Sequence, residues 1–184
     1  MKTVNLGTKD VQIKTSLDEV TIKNFEDLLT VSTSENYEDE IERRIDLIHM
    51  LTNLSIDDIE NLDLEDFKKI NSDVFMLGLE DGSTKKDIFE FEGKVYKTRN
   101  PIETFKLNIR EIMLLKNQVK KGTVSYLSKL AAIIYSEVLE DGTLNKDGSP
   151  EVIDKKADIF GDNMTMNYIS EYLLSISKYL NVNI

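Results

Sequence analysis

The stretch Ile88-Phe-Glu-Phe-Glu-Gly-Lys-Val-Tyr-Lys-Thr98 decides the fold class, because it predicts strands in a chain whose other long segments have helical periodicity. Two runs rich in β-branched and aromatic residues, IFEF and KVYKT, are joined by Glu92 and Gly93. A two-residue connection that ends in Gly is a strong signal for a β-hairpin. Asn100-Pro101 ends the pattern. The sequence therefore predicts a hairpin here and a mixed class of fold.

Helical periodicity follows this hairpin to the end of the chain. From Asn108 to about Gly122, apolar residues recur at three- and four-residue spacing on one predicted face, namely Ile109, Ile112, Leu115 and Val119. Further helices are predicted at 124–138, from the cap pair Ser149-Pro150 to about Phe160, and at 166–180. The last helix has a broad apolar face, which must be buried inside the chain or by a partner.

The first half of the chain repeats the order of a hairpin followed by helices. The segments TVNL and VQIK flank a Gly-containing turn, and Thr21 is placed to cap the helix that follows them. The run EDEIERRIDLIHMLTNL, residues 38–54, predicts an amphipathic helix with Ile41, Ile45 and Ile48 on its buried stripe.

Two cap signals precede a polar boundary. Ser55 and Asp63 each stand three places before an acidic residue, which is the pattern of a helix start. The apolar faces of these two helices are expected at Ile56, Ile59, Leu62, Leu64, Phe67 and Ile70. The polar stretch 79–86 contains an Asp-Gly turn signal, and we divide the chain there into 1–82 and 83–184, with one compact domain as the alternative. The predicted class is α+β, predominantly helical, with short β-hairpins each followed by amphipathic helices and a C-terminal helical bundle.

Composition excludes several kinds of site. The 184 residues include no Cys and one His, so disulfides, thiolate zinc sites and cysteine nucleophiles are excluded, and a Ser-His-Asp triad would need His49. We expect His49 to pack beside the core instead. The N-terminus has no apolar signal region, and no run approaches the roughly 18 apolar residues of a membrane span. We therefore expect a protein that is neither exported nor embedded in a membrane.

The sequence contains no clear motif for catalysis, nucleotides or metals. Neither GxxxxGK[ST] nor GxGxxG occurs. The loop 141–148 has alternating oxygen-bearing residues, but an EF-hand would need Gly where Lys146 stands and Glu where Val152 stands, so we expect a turn-rich surface loop. Carboxylates cluster at 35–42 and 57–66, where solvated helix faces are the favoured interpretation and a paired-carboxylate enzyme is the other. We expect no enzyme activity, no cofactor and no metal.

The charges of the chain are unevenly distributed. The formal net charge is −11, with 8 basic and 20 acidic residues in 1–84 but 11 basic and 5 acidic residues in 85–129. The basic stretch is open to three interpretations: a solvated face, a surface for an acidic protein, or phosphate contacts with nucleic acid. Of the functional ones we favour protein contact, since a chain with both signs suits head-to-tail packing into rings. The candidate interface residues are Lys106, Arg110, Lys116, Lys120 and Lys121 in the basic stretch, and Tyr172, Ile176 and Tyr179 in the terminal helix.

Three segments share a pattern with one known group of proteins. The first is Leu51-Thr-Asn-Leu-Ser55, followed by Ile59, Leu62 and Asp66-Phe67, the second is the hairpin Gly93-Lys-Val-Tyr-Lys97, and the third is the helix 126–135 with the long loop after it. Together they resemble the small accessory proteins of tailed bacteriophages, in particular tail-assembly chaperones. The sequence is also similar to the ring-forming connectors between portal and tail in crAss-like phages.

This resemblance implies a non-enzymatic structural protein of a phage particle, a multimeric ring or adaptor subunit of the neck or tail. The implied partners are other copies of the chain, together with portal, neck or tail proteins. Whether DNA passes nearby in the lumen stays open, and no membrane partner is implied. The implied location is the virion, after synthesis in the bacterial host cytoplasm. The alternative is a cytoplasmic tail-assembly chaperone that leaves before the particle matures.

Overall fold

The computed structural model describes residues 1–7, 9–76, 86–100, 102, 105–120 and 126–173. Within these ranges the helices are α1 (Ile22–Thr33), α2 (Glu40–Leu51), α3 (Ile56–Glu60), α4 (Leu64–Met76), α5 (Ile109–Lys120), α6 (Tyr126–Ile134) and α7 (Pro150–Asn163). The strands are β1 (Lys2–Asn5), β2 (Asp10–Ile13), β3 (Ile88–Phe91), β4 (Lys94–Thr98) and β5 (Tyr135–Glu137). The strands form two small antiparallel sheets, β1-β2 and β3-β4-β5. The predicted α+β, predominantly helical class is confirmed.

The first hairpin packs against three helices of the N-terminal part. Val4 faces Val11 across the two strands, and Val11 and Ile13 are fully buried, as expected for alternate residues of a strand with one covered face. The other buried members of this core are Leu6, Ile48, Leu54, Ile59, Ile70 and Val74. Lys14 N donates to Leu51 O at 2.8 Å, which joins the end of β2 to the end of α2.

The predicted helix starts in the first half are confirmed. Thr21 Oγ1 accepts a hydrogen bond from the backbone of α1 at 3.2 Å, and Ser55 and Asp58 form a reciprocal capping box. Asp63 Oδ1 accepts from Asp66 N at 2.8 Å at the start of α4. These side chains satisfy backbone N–H groups that a helix leaves free in its first turn.

The second hairpin forms as predicted, and a third strand that was not predicted pairs with it. Glu92 and Gly93, with φ of 48° and 76°, form the two-residue turn between β3 and β4. β5 pairs antiparallel with β4, so that Tyr96 lies opposite Glu137. The expectation of one helix over 124–138 is therefore wrong in its last part, because the chain leaves the helix after Ile134 and joins the free edge of β4.

Lys156 stabilises the change from helix to strand at the end of α6. Its ammonium group donates to Ala132 O at 2.6 Å and to Tyr135 O at 3.0 Å. Carbonyl groups at the end of a helix have no partner within the helix, and the negative end of the helix dipole favours a cation there. Burial lowers the pKa of Lys156 to about 8, since desolvation disfavours the charged form.

The larger core lies between α6, α7 and the second sheet. Phe160 of α7 is fully buried, and its ring contacts the rings of Phe89, Tyr96 and Tyr135 from the three strands. On the helical side, α6 contributes Leu130 and neighbouring apolar residues that are also fully buried. The sheet and the helices thus share one core.

Helix α1 joins the two ranges into which the sequence was divided. Ile22 is fully buried in the same core as α6 and α7. The Glu26 carboxylate accepts hydrogen bonds from Ser128 N and from Ser128 Oγ, both at 2.9 Å, and Glu26 is only 3% exposed. These contacts cross between 1–82 and 83–184. Most of the proposed boundary stretch, up to residue 85, lies outside the described residues.

Gly161 packs against this buried pair, and we expect Gly161→Ala to destabilise the protein. A Cβ at this position would lie 2.9 Å from Ser128 Oγ, which Glu26 holds in place. In an unhindered helix interior the substitution stabilises by about 1 kcal/mol, whereas overpacking costs about 1–3 kcal/mol. Urea unfolding should therefore show a net loss of stability. An increase in the free energy of unfolding would contradict the close approach of Gly161 to Ser128.

Four residues that were predicted to lie on buried helix faces are exposed instead. They are Ile41, Ile56, Leu64 and Ile109, with exposed fractions of 55%, 41%, 66% and 77%. Each lies in the first turn of its helix, before the helix reaches a core, whereas residues further along, Ile48, Ile70 and Leu115, are fully buried. Periodicity identifies the apolar side of a helix but not how far along the helix the core extends.

The final helix begins later than predicted. Met166–Tyr168 forms a 3₁₀ turn, and helical residues follow from Ser170 to Leu173. The remainder of the predicted helix, 174–180, lies outside the described residues.

The loop 141–148 is rich in turns that side-chain oxygens stabilise, as expected. Asp141 Oδ1 and Asn145 Oδ1 each accept a hydrogen bond from the backbone two residues further on, both at 2.9 Å. Asp147 Oδ1 accepts from Ser149 N at 2.9 Å, which leads the loop into α7. The part of the chain that the structure describes contains no group of three or more His, Cys, Asp or Glu side chains suited to a metal ion.

Candidate protein interface

Helix α5 builds the candidate interface, and polar contacts fix its first turn. Asn108 Oδ1 accepts from Glu111 N at 3.0 Å, and Glu111 Oε2 accepts from Asn108 N at 2.8 Å, so the two residues cap each other. Arg99, directly after β4, donates to Glu111 Oε1 at 2.6 Å. Leu115 is fully buried in the core. The helix is thus held on one side and exposes the other side to solvent.

The exposed side of α5 carries an apolar stripe. Ile109 and Met113 are four residues apart and therefore neighbours on the helix surface, and they are 77% and 60% exposed. Asn117 continues the same exposed line. Burying a large apolar side chain gains about 1.5–3 kcal/mol relative to leaving it in water. A partner that covers both side chains would therefore gain substantial free energy.

Basic side chains surround this stripe. Lys106 and Arg110 are exposed near the start of the helix, and Lys116 is half-buried beyond Met113. We call Lys106, Ile109, Arg110, Met113 and Lys116 the α5 surface. Three of the predicted interface residues thus lie around one apolar centre. Lys120 is the last residue of α5. Its side chain and the whole of Lys121 lie outside the described part of the chain.

Tyr172 belongs to the core of its own chain. It is 3% exposed, its ring packs edge-on against Phe105 with 5.0 Å between ring centres, and its hydroxyl donates to Asn100 O at 3.4 Å. The expectation that Tyr172 contacts a neighbouring subunit is corrected, because the chain itself buries the apolar face of the last helix at this residue. Ile176 and Tyr179 lie outside the described residues.

The acidic half of the chain exposes apolar side chains of its own. These are Ile41, Ile56 and Leu64, each with at least one acidic neighbour in the sequence. A basic surface with an apolar centre and acidic surfaces with apolar residues are complementary in charge and in hydrophobicity. These positions were not predicted to be exposed, because their spacing also fits a buried stripe. A first-turn position beside acidic residues is the signal that distinguishes them.

Two of the carboxylates at 57–66, those of Asp58 and Asp63, cap helices, and Asp58 also forms an ion pair. Lys9 Nζ lies 2.7 Å from Asp58 Oδ1, and hydrogen bonds from Lys9 and then from Ser55 lower the pKa of Asp58 to about 2. A general acid needs a raised pKa, so the lowered pKa of Asp58 argues against a role as a general acid. His49 was expected to pack beside the core but is exposed, and its Nδ1 donates to Leu54 O at 2.7 Å. Among the described helices, none is long and apolar enough to cross a bilayer.

No protein-family model, no curated protein and no solved structure matches the chain. A functional proposal therefore rests on the exposed side chains of the α5 surface and on the motif resemblance in the sequence.

Proposed function

We propose that this chain is a non-enzymatic structural subunit that assembles with copies of itself. In this assembly the α5 surface of one copy packs against the acidic first half of the next. The observation that carries the proposal is the exposed pair Ile109 and Met113 inside a basic patch, on a chain with a net charge of −11. Apolar burial supplies part of the free energy, and Arg110 and Lys116 orient the copies and add charge attraction.

The proposed contact is head-to-tail, because the two surfaces that meet are different. A contact of this kind closes into a ring when the rotation between neighbours divides a full turn, and otherwise continues as a filament. A stable interface buries about 1,200–2,000 Å² in total. One exposed helix side contributes only part of this area, so we expect assembly to depend strongly on the charges and therefore on salt.

The assembly that we propose is a ring or adaptor in the neck or tail of a phage particle. The support is the resemblance of Leu51–Ser55 with its following residues, and of the hairpin Gly93–Lys97, to phage accessory proteins. Portal, neck or tail proteins are then further partners. Mass spectrometry of purified virions tests this step. Presence in infected cells combined with absence from mature particles would instead support the tail-assembly chaperone.

We expect Met113→Glu to abolish self-assembly. The substitution places a charge at the centre of the apolar stripe, where the partner would have to desolvate it. Light scattering should give a large oligomer for the wild type at low salt. At about 1 M salt, where the Debye length falls to about 3 Å, the wild type should have a smaller mass. The variant should be a monomer at both salt concentrations.

Two comparisons make this measurement specific. Leu139→Glu adds the same charge at an apolar residue that is 42% exposed and lies outside the α5 surface, so this control should assemble like the wild type. Reversal of Lys116, Lys120 and Lys121 to Glu should weaken assembly through charge alone. A wild-type monomer or dimer at both salt concentrations would refute self-assembly into a ring or filament and would favour the chaperone. Normal assembly of Met113→Glu would refute the role of α5.

A further inference from the structure

A cleft beside the start of α5 concentrates positive charge. It lies between the residues after β4, the first turn of α5 and the loop that leads into α7, and it has two adjoining parts of about 340 Å³ and 410 Å³. Four cationic residues line it: Arg99, Lys106, Arg110 and Lys146. A volume of this size is sufficient for a small ligand.

Two carboxylates also line the cleft, and both already have hydrogen-bond partners. Glu111 accepts from Arg99 at 2.6 Å and from Asn108 N at 2.8 Å. Asp147 accepts from Ser149 N at 2.9 Å, and its pKa is lowered first by hydrogen bonds from Ser149 and further by nearby cations that include Arg110. With four cations against two anions, the cleft is positive in a chain whose net charge is −11.

Arg99 has a donor without an acceptor. Its Nη1 donates to Glu111, but its Nε–H group is buried and makes no hydrogen bond with any residue that the structure describes. A buried donor left unsatisfied is unfavourable. The Arg99 side chain as a whole is 30% exposed and lines both parts of the cleft, so part of it is open to a ligand there although Nε is not. A guanidinium group can bind the oxygens of a phosphate side by side.

Two helices begin at this cleft. The first turn of α5 lines it on one side, and Gly148 and Ser149, directly before α7, line it on the other. Ser149 is the N-cap of α7, but its side chain makes no capping hydrogen bond. The N-terminal end of a helix carries partial positive charge and free N–H groups, which favour an anion. The N-terminal end of α7 thus adds to the potential that the four cationic side chains create, whereas that of α5 is already capped by Asn108 and Glu111.

We propose that this cleft binds the phosphate group of a small phosphorylated ligand, with Arg99, Arg110 and Lys146 contacting the phosphate oxygens. The two parts of the cleft share Arg99 and Lys146, and each has a further cation of its own, Arg110 in one and Lys106 in the other. This arrangement suits a diphosphate. A nucleic-acid strand is disfavoured, because it needs a continuous basic track and the chain is acidic as a whole. The inference does not rest on the proposed assembly role, although Lys106 and Arg110 belong both to the cleft and to the α5 surface.

Pyrophosphate is the probe that tests this site. Isothermal titration at constant ionic strength is done with the Met113→Glu variant, so that binding and assembly are measured separately. We expect saturable binding of one pyrophosphate per chain. Lys146→Glu, an exposed loop substitution, should weaken the affinity at least about tenfold through loss of a charge-assisted contact. Lys68→Glu makes the same charge change at an exposed residue of α4, and it should leave the affinity within about twofold.

Three outcomes would overturn the proposal. The first is no saturable binding up to about 10 mM pyrophosphate, which corresponds to negligible affinity. The second is an equal loss in Lys146→Glu and Lys68→Glu, which would indicate a nonspecific charge effect. The third is a single-stranded oligonucleotide that binds more tightly and displaces pyrophosphate, which would assign the cleft to nucleic acid. Each of them is independent of the light-scattering result for self-assembly.

Discussion

Replacement of Phe160 by Ala should cost about 3–5 kcal/mol of the free energy of unfolding. Phe160 is fully buried, and its ring meets those of Tyr96, Phe89 and Tyr135 edge-on, with 4.9, 5.5 and 6.3 Å between ring centres. Such edge contacts stabilise beyond the burial of area. Since a domain is stable by only about 5–15 kcal/mol, urea unfolding should show a large fall in the midpoint or an unfolded variant.

Two further substitutions separate the loss of the ring from general damage to a helix. Phe160→Leu keeps part of the apolar volume but loses the ring edges, so we expect a smaller loss than for Ala. Leu64→Ala shortens a side chain that is 66% exposed on α4, and it should change stability by no more than about 0.5 kcal/mol. If Phe160→Ala lost no more than Leu64→Ala, the placement of Phe160 at the centre of the core would be wrong.

The elements that could be predicted from the sequence are those with local signals. The cap at Thr21, the capping box of Ser55 and Asp58, and the turn at Glu92 and Gly93 each depend on residues within three positions of one another. Neighbouring residues carry all the information that these features need. The two hairpins and most helix starts follow from them.

Strand β5 could not be predicted because its partner is distant in the sequence. Ile133 and Ile134, which end α6, suit a strand as well as a helix, and the free edge of β4 decides that Tyr135–Glu137 pairs as a strand. Lys156, which satisfies the carbonyl groups at this point, comes from α7. Neither of these long-range contacts can be predicted from helical periodicity.

The candidate site could also be predicted only in part from the sequence. Charge along the sequence identified the basic residues of α5. Ile109 was assigned to the buried face, since its spacing fits either environment, and Met113 was not singled out. The positive cleft was not identified at all. It joins Arg99, the start of α5 and Lys146, which only the pairing of the sheet and the packing of α7 bring together.

Glu26→Ala should be the next most damaging substitution, at a cost of about 2–4 kcal/mol. Glu26 belongs to α1, but its carboxylate accepts from Ser128 N in the first turn of α6 and from Ser128 Oγ, both at 2.9 Å. Ala would leave both donors of Ser128 unsatisfied in a buried site. Glu26→Gln keeps the shape and a carbonyl acceptor, so we expect it to stay within about 1 kcal/mol of the wild type in urea unfolding.

The pH dependence of stability separates the charge of Glu26 from its shape. Burial raises the pKa of Glu26, although hydrogen bonds from Ser128 and the charge of Lys23 act in the opposite direction. A carboxyl group with a raised pKa in the folded state holds its proton more tightly there. Its stabilising contribution is complete below the pKa of the unfolded chain and is lost as pH rises through the folded pKa. The wild type should therefore gain stability relative to Glu26→Gln as pH falls from about 7 to about 4. A difference that stays constant over this range would contradict a buried, desolvated carboxylate at Glu26.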